Sequence, residues 1–70
     1  MAWDTEAAAQ RAEQAYRYVS QTLPPGSDYS PLDSYTEAAF EAERAGDWTA
    51  YVEVLRELCR AARSAARRAA

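Results

Sequence analysis

Four arginines, Arg56, Arg60, Arg63 and Arg67, recur at spacings of four, three and four residues. At about 100° per residue they fall on one narrow line, running about 16 Å along a helix. The apolar residues Trp48, Tyr51, Val52, Leu55, Leu58, Cys59, Ala62 and Ala66 form a stripe that the same periodicity places opposite them. Guanidinium groups are planar, permanently charged and suited to carboxylates or phosphates, so the chemistry on offer is anion binding. A solvated helix face is the commonest reason for such a line. The functional readings are an acidic protein, the acidic half of a sister subunit, or a nucleic acid. Against nucleic acid, no aromatic residue interleaves with the arginines in sequence, no DNA-binding helix-turn-helix pattern is evident, and the rest of the chain is acidic.

No other grouping points to catalysis or cofactor chemistry. Cys59 is the single cysteine and the chain has no histidine, so nothing activates the thiol and no internal disulfide or zinc site is expected. Its place on the apolar stripe predicts a small buried side chain. Glu37 and Glu41, and Glu53 and Glu57, are pairs four apart without partners for acid–base or metal-assisted work. Gly26 and Gly46 are the only glycines, which leaves no phosphate-binding loop. The expectation is a non-enzyme without cofactor.

Aromatic residues supply the second clue. Tyr16, Tyr35, Trp48 and Tyr51 fall on stripes that predict core positions, whereas Trp3, Tyr18, Tyr29 and Phe40 do not. Tyrosine and tryptophan are enriched in protein interfaces, so these four are candidate partner contacts beside the arginines.

Seventy residues make one small domain with a thin core, for which helix packing and self-association are the remaining sources of stability. The net charge of −3 conceals two unlike halves. Residues 1–55 carry ten acids against three arginines, a net −7, and residues 56–70 carry five arginines against one glutamate, a net +4. Such a dipolar chain suits an acidic partner or head-to-tail pairing with its own copy. All eight basic residues are arginine, and lysine, asparagine and isoleucine are absent, a composition written by GC-rich codons. No signal peptide or membrane-spanning run is seen, which predicts a cytoplasmic protein of a bacterium or its phage. A membrane-surface helix is disfavoured because much of the apolar face of the arginine-bearing segment is alanine.

Three helices are expected to position these residues. The first spans about 5–22, capped by Asp4 or Thr5, with Ala8, Ala12, Ala15, Tyr16, Val19 and Leu23 as its stripe. The Pro- and Gly-rich stretch 24–31 breaks it. The second spans about 31–45, with Ser30 as N-cap, Asp33 completing a capping pattern, and Leu32, Tyr35, Ala39 and Ala42 inward. Ser34 with Glu37 is an alternative start. Gly46 in a left-handed conformation and Asp47 as N-cap then give a tight turn into a third helix, about 48–68. The segment Ala42-Glu43-Arg44-Ala45-Gly46-Asp47-Trp48-Thr49-Ala50-Tyr51 resembles the helix-turn-helix hairpins that end many bacterial proteins, and the resemblance implies no activity. The whole reads as an all-α, up-down-up three-helix bundle, with Ala8 and Ala12 facing Trp48, Tyr51 and Leu55. Tyr16, Val19 and Leu23 then face Ala62, Ala65, Ala66 and Ala69.

These features predict a single-domain accessory protein that binds another protein and self-associates. A small nucleic-acid-binding or regulatory protein is the alternative.

Overall fold

The structure, a computed structural model, describes residues 3–69, with the side chain of Ala69 outside the description. It is all-α. Helix α1 spans Thr5–Thr22, α2 spans Asp33–Ala45 and α3 spans Trp48–Ala69.

Each helix end has a local cause. Asp4 Oδ1 accepts the Ala7 N–H at 2.7 Å and starts α1. At its far end the Leu23 N–H donates to Val19 O at 2.9 Å, and Pro24 and Pro25 bar further helix. The loop closes with the Ser27 N–H on Pro24 O at 3.1 Å and the Tyr29 hydroxyl on Leu23 O at 3.3 Å.

The start of α2 differs from expectation. Ser30–Leu32 form a 3-10 turn, regular α-helix begins at Asp33, and Ser30 is not the cap. Asp28 Oδ1 instead accepts the Ser30 N–H at 2.9 Å. Hydrogen bonds from Ser30, its side chain first and its backbone next, hold the Asp28 carboxyl below the usual carboxylate range. An acidic side chain two residues upstream won because Asp bonds forward to its own backbone in turns.

The turn into α3 is as expected. Gly46 has φ +70° and ψ +17°, its N–H donates to Glu43 O at 3.0 Å, and the Asp47 N–H reaches Ala42 O at 3.0 Å. Asp47 Oδ1 then accepts the Ala50 N–H at 3.1 Å. One turn therefore closes α2 and opens α3.

Helix α3 is the spine. Both α1 and α2 lie along it, and no Cα of α1 comes within 8 Å of one in α2. The core is Ala8, Ala12, Ala15 and Val19 from α1 with Leu23 just beyond it, Leu32 from the 3-10 turn, Ala39 from α2, and Tyr51, Val52, Leu55, Leu58 and Ala62 from α3. Trp48 and Tyr51 meet edge to face at 5.5 Å and 87°. Among the described residues no charged side chain is buried, and the two ion pairs, Arg17–Glu13 and Arg60–Glu57, are exposed and stabilise little.

Tyr16 departs from its expected core position, being 38 % exposed. It lies on the flank of α1 turned towards α2, where burial and the Glu43 carboxylate both raise its phenol pKa. Tyr51, Tyr16 and Glu43 thus gather where side chains bridge the gap that the backbones leave.

Candidate functional site

Packing of α1 on α3 depends on small residues. Ala8, Ala12 and Ala15 let the helices approach closely, and the Cys59 thiol sits 3.9 Å from Ala15 O, donating towards it. That approach carries the flank of α1 bearing Arg11, Gln14 and Tyr18 against the arginine-bearing flank of α3. Between them runs an open groove of about 520 Å³.

The floor of the groove is apolar: Ala15, Val52, Leu55 and Cys59. Its rim is Arg11, Gln14 and Tyr18 from α1 and Arg56, Arg60 and Arg63 from α3. Four arginines line it and no carboxylate does. Arg60 is drawn towards Glu57 at 3.1 Å, and the Arg11 guanidinium stacks 5.3 Å from the Trp3 ring centre. Among the described residues Arg11, Arg56 and Arg63 have no ion pair. An apolar floor under unneutralised guanidiniums suits a ligand that combines an apolar contact with negative charge.

The expected arginine line is therefore divided. Arg56, Arg60 and Arg63 border the apolar stripe rather than oppose it, because α1 covers only part of the stripe and leaves its edge as groove floor. Arg67 is exposed and is not among the lining residues. Arg56 and Arg60 also form the crest of a second cleft, about 610 Å³, on the α2 side of α3. Glu53 and Glu57 line that cleft too, so its charge is mixed.

The four off-stripe aromatics do not form one surface. Tyr18 lies in the groove, so an aromatic ring stands among the arginines in space although none does in sequence: it comes from another helix. Trp3 is half-buried against the core beneath Arg11. Tyr29 is exposed on the loop with its hydroxyl tied to Leu23 O, and Phe40 is 52 % exposed on α2. Arg11 and Gln14 line the groove too, although neither is an expected site residue. Their signal is the spacing Arg11, Gln14, Tyr18, which puts all three on one flank of α1 beside the alanines.

Burial raises the pKa of the Cys59 thiol, and the nearby Arg63 charge opposes that rise. Among the described residues no His, Cys, Asp or Glu group is arranged to hold a metal ion. No helix there is long and apolar enough to cross a membrane.

Fold and groove together define the class: an all-α three-helix domain with a basic groove between its two long parallel helices. No protein family, curated protein or solved structure matches the chain.

Proposed function

We propose that this domain is a non-enzymatic protein-binding module whose partner surface is the α1/α3 groove. It acts as an adaptor, inhibitor or small subunit of a larger bacterial or phage complex in the cytoplasm, and it self-associates. One observation carries the reading: Arg11, Arg56, Arg60 and Arg63 surround an apolar floor with no carboxylate lining it. A partner segment with acidic residues around an apolar side chain satisfies both parts of that surface, the charges orienting it and the apolar contact holding it.

The test uses a dye-labelled helical peptide of glutamate and alanine with one central phenylalanine. At about 50 mM salt its anisotropy should rise with added protein, and the rise should fade as salt is raised because exposed charges are then screened. Replacing Arg11, Arg56 and Arg63 by glutamine should weaken binding at least ~10-fold. Bound peptide should also slow alkylation of Cys59, which lines the floor. Equal binding by the two proteins would show that the groove is not the contact surface, and no binding by either would show that it does not take acidic segments of this general kind.

Tyr18 among the arginines favours one second reading, a single-stranded nucleic acid with a base stacked on the ring. The acidic remainder of the chain opposes it. A labelled single-stranded oligonucleotide bound more tightly than the peptide, with a steep salt dependence, would select it.

A further inference from the structure

The outer face of α2 bears Asp33, Glu37 and Glu41 at four-residue intervals, all exposed and on the side away from α3. Beside Glu37 and Glu41 stands Phe40, at 52 % the most exposed of the large hydrophobic side chains among the described residues. The core takes Leu32 and Ala39 from this part of the chain and leaves Phe40 unused. The acidic stripe is about 12 Å long, and Arg56 to Arg63 along the groove is about 10 Å. An exposed ring flanked by a short row of carboxylates is the counterpart of an apolar floor flanked by a short row of guanidiniums.

No α2 residue lines the groove, so the two surfaces do not meet within one chain. We propose that the occupant of the α1/α3 groove is α2 of a second copy, with Phe40 on the floor and the row Asp33, Glu37 and Glu41 lying along the row from Arg56 to Arg63. This is a helix-in-groove contact, and it rests on the reading of the groove as a protein-binding surface. The other charges nearby leave the match intact: Arg44 lies at the C-terminal end of the acidic stripe, and Glu57 is engaged with Arg60. Because donor and acceptor surfaces differ, the contact is head-to-tail, and it closes into a ring or extends as a chain.

A charge swap tests this. One variant carries Arg56→Glu with Arg63→Glu, the other Glu37→Arg with Glu41→Arg; all four positions are exposed, and circular dichroism checks that helicity is kept. In sedimentation over a concentration series at low salt, wild type should associate and each variant alone should associate at least ~10-fold more weakly. An equimolar mixture should recover to within a few-fold of wild type, since the basic α2 of one then meets the acidic groove of the other. Phe40→Ala should weaken wild-type association without altering its salt dependence. A wild type that stays at 7.8 kDa throughout, or a mixture that does not recover, overturns the proposal. If wild type stays monomeric while the Glu/Ala/Phe peptide still binds in an arginine-dependent way, the groove reading stands and only its assigned occupant falls. Failure of that peptide with recovery in the mixture would instead limit the groove to its own copy.

Discussion

The two sides of α3 are held by different means. Towards α2 the chain does the work: Ala45, Gly46 and Asp47 make a tight turn, so the two helices are neighbours by connectivity. Towards α1 no turn joins the two helices, since Pro24–Tyr29 leads from α1 to the 3-10 turn and α2, and what holds this side is the fit of Ala8, Ala12 and Ala15 against larger residues of α3. The side packed through the α1 alanines is the one that carries the basic groove. Small residues bring the helices together, and whatever flanks them, here Arg11 and Tyr18, faces the α3 arginines across the groove. On the α2 side Tyr35 and the acids Glu53 and Glu57 line the clefts, and the charge is mixed.

The largest effect should come from Leu58→Ala, because Leu58 is 2 % exposed in the core of the spine helix. A loss of about 2–5 kcal/mol is expected, a large share of what a domain this small holds. A thermal melt by circular dichroism should lose its cooperative transition on both sides together. If one side melted alone, α3 would not be a shared spine.

Ala15→Leu strikes the α1 side only. Overpacking should cost about 1–3 kcal/mol and loosen α1. Alkylation of Cys59 should speed up, while the α2–α3 turn keeps its amide protection from hydrogen exchange. Unchanged thiol reactivity would mean that alanine packing does not set the approach of α1.

Gly46→Ala strikes the α2 side only. Nothing lies within 4 Å of where the added Cβ would stand, so the cost is that of φ +70° for a side chain, about 1–2 kcal/mol. Stability should fall in a denaturant titration, with peptide binding to the α1/α3 groove retained under native conditions.

The smallest effect concerns the groove's thiol. Burial raises its pKa, so at neutral pH Cys59 should react more slowly than in the unfolded chain. Arg63→Gln removes the opposing charge and should move the midpoint of the rate–pH profile further up, by less than the shift on unfolding. An unchanged midpoint would place the Arg63 charge away from the sulfur.

Much of this molecule was legible in its residues because the causes are local. The limits of α1, the Gly46–Asp47 turn and the start of α3 each depend on groups within a few positions of one another. Even the error at Ser30 was a contest between neighbours, with Asp28 nearer the right geometry for the turn.

The site was legible only in part. Arg56, Arg60 and Arg63 announce themselves by spacing, and Phe40 by falling off its stripe. Periodicity gives the angle of a side chain about its own helix and says nothing of which neighbour arrives at that angle. The amino-acid sequence by itself determined three helices, their ends and a segregated charge. Tertiary structure alone decided that α1 covers just part of the α3 stripe, leaving Tyr16 outside and adding Arg11, Gln14 and Tyr18 to the groove. The reason is physical: a groove is made by two surfaces, and their relative placement follows from the close packing of Ala8, Ala12 and Ala15, not from any residue that lines the rim.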